Sequence, residues 1–108
     1  MQDIQNKFEE KFASFLAGAN KIKEDHRLAA FPSLPAEPLE AMFGKRYVRV
    51  VTVRNGKPAS SFCFVDITNG DVLKSGSWKA PAKGARGNIF DQQNGLGRIT
   101  PYGTEYNN

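Results

Sequence analysis

Three observations predict a mainly β protein with one N-terminal α-helix, its strands curled into a small, strongly bent five-stranded barrel. An apolar stripe at helical spacing is confined to the start of the chain. From Lys45 the period changes to two, and two Asn-Gly pairs punctuate the strands. Short strands and turns then follow so densely that about five of them fit in about sixty residues, the pattern of a barrel or curled sheet. The reading is a single domain over 1–108, with a helix at 3–23, a connector at 26–44, the barrel at 45–101 and a tail at 102–108.

Asp3 can open the helix as its N-cap, because its carboxylate can accept a bond from a first-turn N–H that has no other partner. Behind it Ile4, Phe8, Phe12, Phe15, Leu16, Ala19 and Ile22 recur every three or four residues and form one stripe. Lys7, Glu9, Glu10, Lys11, Lys21 and Lys23 occupy the other faces, and Gly18 is a soft point costing about 1 kcal/mol relative to Ala. A membrane-surface helix would need a basic polar face, so a lid packed on the sheet is the favoured role and no membrane contact is expected.

In 26–44 the prolines Pro32, Pro35 and Pro38 bias their neighbours away from helix, which reads as a semi-rigid connector. Leu39 to Phe43 is expected to make one helical turn before Gly44. KRYVRVVTVR at 45–54 and SSFCFVDI at 60–67 are strands joined through Asn55-Gly56, and both their faces are largely apolar. Such a sheet needs cover on each side, and the helix supplies one. Asn69-Gly70 turns the chain into a short strand Val72-Leu73-Lys74, and Asn88-Ile89-Phe90 and 97–100 supply the last two. Pro101 stops the final strand, and in the tail Tyr102 and Tyr106 can pack back.

Net charge is +4, but residues 1–44 carry −2 and residues 45–108 carry +6. The positive half expects an anionic partner. Its centre of interest is NGDVLKSGSWKAPAKGARGNIF, from Asn69 to Phe90. There Lys79, Lys83 and Arg86 sit among Gly, Ala, Pro and Ser, which have too little side chain to build a core but leave cations and backbone N–H groups accessible to a polyanion. Trp78 beside Lys79 offers a stacking face next to a cation, worth about 1–3 kcal/mol per stacked base. The competing role for a sole Trp, and the one favoured, is to plug one end of the barrel.

Enzymatic chemistry finds no footing. Gly44-Lys45 and Gly56-Lys57 are followed by Arg and Pro, so neither is a phosphate loop, and Gly95-Leu96-Gly97 lacks the rest of a dinucleotide fingerprint. His26 is the only histidine, which argues against a zinc site and leaves a general base without a nucleophile. Asp66 and Asp71 sit at hairpin ends, where Asp supports turns. No catalytic residue, metal or cofactor is expected. The single Cys63 excludes an internal disulfide framework, and the mixed-charge N-terminus lacks the apolar core of a secretory signal, so a reducing intracellular setting is expected.

The block from Cys63 to Asp91, CFVDITNGDVLKSGSWKAPAKGARGNIFD, resembles small proteins of marine metagenomes, of cyanophage origin, that have an Sm-like fold. The resemblance spans roughly Tyr47 to Gly103 and implies a helix on a bent five-stranded barrel, assembled by edge pairing into a homo-oligomeric ring. Five subunits is one expected count, where six or seven are usual. It also implies binding of single-stranded RNA, with an assembly or adaptor role as the alternative, in the cytoplasm of an infected host cell. Arg86-Gly87-Asn88 matches the Arg-Gly-Asn element of the second Sm signature, whose arginine lines the RNA pocket. Asp66-Ile67-Thr68-Asn69 resembles the Asp and Asn of the first signature, one residue short and without its Met. The expected nucleic-acid-binding residues are therefore Asn69, Trp78, Lys79, Lys83, Arg86, Gly87 and Asn88.

Overall fold

Apolar residues at intervals of three and four carry helix α1 from Asp3 to Ala30 in the computed structural model, which describes residues 3–104 and the helix side chains from Lys7 onward. The side chains of Asp3 and Ile4, and the tail with Tyr106, lie outside the described residues. At 1.5 Å per residue α1 is about 42 Å long, close to the 47 Å longest extent of the fold. Phe8, Phe12, Phe15 and Ala19 are buried, and Leu16 and Ile22 flank them, so the expected stripe is the packed face. Phe8 and Phe12 stack at 5.9 Å, and Phe12 meets Phe43 edge-on at 5.7 Å.

The helix runs seven residues beyond its expected end at 23. Arg27 explains much of this extension. Its guanidinium holds Glu24 one turn back, and Nη1 donates to the carbonyls of Pro32 and Leu34, which ties down the chain where it leaves the helix. Pro32 then ends the helix, as a proline must.

Five antiparallel strands follow: β1 (Leu39–Phe43), β2 (Tyr47–Arg54), β3 (Lys57–Asp66), β4 (Asp71–Ser75) and β5 (Pro81–Asn88). They form one sheet in the order β1-β2-β3-β4-β5. Leu39 to Phe43 is thus a strand and not the expected helical turn. It pairs with β2 from Leu39↔Thr52 to Phe43↔Val48, because the free edge of β2 offers a row of partners that an isolated helical turn lacks. Asn20 anchors its start, accepting from the N–H of Leu39 at 2.8 Å and donating to its carbonyl at 3.2 Å.

Asn55 and Gly56, with φ of 55° and 76°, make the tight turn expected between β2 and β3. Loop 67–70 makes the second, with the Gly70 N–H on the Asp66 carbonyl and Gly70 at φ 83°. The glycine-rich segment, in which no strand was expected before Asn88, forms strand β5 from Pro81 to Asn88. Ladder pairing asks nothing of side-chain volume, and β4 needs a partner. Asn88 ends that strand, so Ile89 and Phe90 lie in the following turn. Of the last expected strand only β6 (Ile99–Thr100) forms, in a small hairpin with β7 (Gly103–Thr104).

The sheet does not close into a barrel. β1 occupies the edge of β2, and β1 and β5 remain the two ends of the strand order. Register shifts in β2–β3 and β4–β5 bend the strands locally. One face carries Val48, Val50, Cys63, Val65 and Val72 against the Phe stripe of α1, with Ile89 and Ile99 completing the core. On the other side the almost fully buried Phe64 is covered by side chains of the sheet itself, where a second layer had been expected.

Candidate nucleic-acid interface

The cover over Phe64 begins with strand parity. Tyr47 and Arg49 alternate with the buried Val48 and Val50 and so emerge on the side away from the core. Phe64 stands opposite Arg49 across the β2–β3 ladder. The rings of Tyr47 and Phe64 meet edge-on at 6.0 Å, and the Arg49 guanidinium lies 5.7 Å from Phe64 and 4.9 Å from Trp78. Arg46 sits 5.3 Å over Tyr47. The result is a ladder of cations and aromatic faces in contact: Arg46, Tyr47, Phe64, Arg49, Trp78. Each exposed contact of this kind contributes about 0.5–1 kcal/mol.

Trp78 is therefore not a plug. It is 40% exposed at the tip of the β4–β5 hairpin, where the Gly76 and Ser77 N–H groups donate to the Ala80 carbonyl and Ser77 Oγ accepts from the N–H of Lys79 and of Ala80. That turn leaves the indole no core to enter, so it lies on Arg49. Between the tip and the β1–β2 turn runs a groove of about 240 Å³ lined by Phe43, Lys45, Arg46, Tyr47, Arg49 and Lys79 among others, with no acidic residue in its wall among the described residues. Arg49 Nε is buried and has no hydrogen-bond partner among the described residues.

Asp66 stands behind the groove and holds Arg46, accepting from Nε at 3.3 Å and Nη2 at 3.2 Å. Burial pushes its carboxyl up, but bonds from the Thr68 hydroxyl and N–H and from Arg46 outweigh that and hold it below the usual aspartate range. Asp66 thus stays ionised and fixes the loop that begins beside it.

Asn69, Gly87 and Asn88 gather at the far end of β5, about 23 Å from the hairpin tip at about 3.3 Å per residue. Asn88 Nδ2 donates to the Asn69 carbonyl at 2.8 Å and to Asp71 Oδ1 at 3.0 Å, so the end of β5 meets the turn between β3 and β4. Gly87 lies against the backbone of Gly95. Arg86 is buried, and its Nη1 donates to the carbonyls of Lys83 at 2.8 Å and Gly84 at 2.6 Å. Lys83 is exposed midway along the strand. The seven residues are therefore strung from the hairpin tip along β5 to its far end and do not form one patch.

Sequence reasoning missed Lys45, Arg46, Tyr47 and Arg49. Their signal was present in KRYVR, where Tyr47 and Arg49 share a strand face with a cation on either side, but the segment was read for its apolar residues alone. Among the described residues no group of three or more His, Cys, Asp or Glu is placed to hold a metal ion. Cys63 is fully buried, and burial pushes its thiol far above the range in which a thiolate forms. Among the described residues no helix is long and apolar enough to cross a membrane.

A family model described as a family of unknown function (DUF7717) matches residues 5–99. No curated protein and no solved structure matches the chain.

Proposed function

The chain belongs to this family of unknown function, and we propose that it is a non-enzymatic, Sm-like module that binds single-stranded RNA along the helix-free face of its sheet. The observation that carries this reading is the cation–aromatic ladder from Arg46 to Trp78 beside the exposed Lys45 and Lys79. Cations along a groove neutralise a phosphate chain, and the half-exposed indole gives an unstacked base a face to lie on. A duplex hides its bases, so this arrangement favours single strands. The meeting of Asn69 with Asn88 supports the Sm-like part of the reading. The two edge strands support a homo-oligomeric ring, because β1 of one copy and β5 of the next can pair and leave no edge open. The setting that goes with this reading is the cytoplasm of a phage-infected cell.

Fluorescence anisotropy with labelled U-rich and mixed RNA tests the proposal. Trp78→Ala should weaken binding by about 5- to 150-fold, the equivalent of about 1–3 kcal/mol. No binding at low salt would overturn it and transfer the groove to an acidic protein surface, the adaptor role. Light scattering that returned a monomer would remove the ring.

A further inference from the structure

A second cavity, of about 450 Å³, lies where the C-terminal turns of α1 meet the proline segment 31–38 and the β6–β7 turn. Its volume falls in the range of small-ligand pockets, and it shares no lining residue with the basic groove. Phe31, Leu34 and Tyr102, all lining residues, leave 48%, 54% and 78% of their surfaces exposed. These large apolar groups stand together at one mouth, where they can cover the apolar body of a ligand.

Among the described residues, counting Arg54 behind Glu37, the charges around the cavity leave one cation over. Glu24 is held by Arg27 through two bonds, and Glu37 by Arg54 through two bonds. Asn20 spends its side-chain amide on the backbone of Leu39, and His26 shares a hydrogen bond of 2.9 Å with the Tyr102 hydroxyl. Lys23 is left over. Its ammonium sits 5.8 Å from the centre of the Phe62 ring and has neither a hydrogen bond nor a salt bridge among the described residues. Burial is the largest influence on this amine and pushes its pKa down, against the opposing pull of Glu37. This half-exposed ammonium, without a hydrogen-bond acceptor among the described residues, can take an anion in place of water.

We propose that this cavity binds a small amphiphilic carboxylate, an aromatic acid or a medium-chain aliphatic one. The carboxylate would lie on Lys23 Nζ and the apolar body against Phe31, Leu34 and Tyr102. A carboxylate provides the hydrogen-bond acceptor that Lys23 lacks among the described residues; Glu37 attracts the ammonium through space but gives its own hydrogen bonds to Arg54.

Calorimetric titration of the protein with naphthoate and decanoate, and with naphthylmethanol as the neutral counterpart, tests this. Amide shift mapping locates the site. Saturable naphthoate binding is expected, with shifts at Lys23, Phe31 and Tyr102. The alcohol should bind at least about tenfold more weakly, and Lys23→Met should cost naphthoate about tenfold while leaving the alcohol unchanged. The proposal is overturned by absence of saturable acid binding, by equal affinity for acid and alcohol, or by shifts confined to Lys45 and Lys79. Should Lys23→Met not fold, the acid–alcohol comparison on the unaltered protein decides. None of these results bears on RNA binding in the other groove.

Discussion

Truncating Lys79 should change how RNA binding responds to salt, by an amount the groove itself sets. Four cations line it, Lys45, Arg46, Arg49 and Lys79, and Asp66 offsets one of them through Arg46. About three phosphates are then neutralised, and single strands contribute a slope of about −0.7 each in log affinity against log salt, or about −2 in total. A fourfold rise in salt should weaken binding about 20-fold for the unaltered protein, about 7-fold for Lys79→Ala and about threefold for Lys45→Ala/Lys79→Ala. Both lysines are exposed, so their removal leaves the core intact. The assay is fluorescence anisotropy of a labelled U-rich strand across a salt series, with circular dichroism to confirm the fold. A slope near zero in the unaltered protein, or one that the double variant leaves unchanged, would refute the phosphate reading of the groove.

Arg86→Met should act on stability before it acts on RNA. Its Nη1 is committed to two carbonyls, so urea denaturation should show a loss of about 2–4 kcal/mol while the salt slope stays within about 0.3 of the unaltered value. Asp66 predicts acid sensitivity. Its folded pKa lies below the ordinary aspartate value of about 3.9, so its contribution is complete above that pH and is lost as pH falls through the folded value. Asp66→Asn should therefore flatten the drop in urea midpoint on the acid side, and an unchanged acid limb would count against the role. Gly95→Ala should cost about 1–3 kcal/mol, because φ is +76° there and a Cβ would stand 2.9 Å from Val72 Cγ2. A urea midpoint within error of the unaltered protein would show that the turn relaxes freely.

What the sequence determined by itself was local and periodic. The Phe stripe from Phe8 to Ala19, the Asn55-Gly56 hairpin and the Asn69-Gly70 turn follow from spacing and from backbone angles that few residues adopt, and all three stand in the structure. The positive charge of residues 45–108 was equally plain, but not its arrangement. Tertiary structure decided the rest, because edge pairing and the packing of one face are set by neighbours distant in the chain. The unpaired edge of β2 made Leu39 to Phe43 a strand, and the edge of β4 made a strand of the glycine-rich segment. Arg27 reached past the end of α1 to the carbonyls of Pro32 and Leu34 and lengthened the helix that the prolines were expected to cut short. Most of all, Trp78 has no core to fill at a hairpin tip. It settled on Arg49, twenty-nine residues earlier, and a cation read as part of an apolar strand became the centre of the groove.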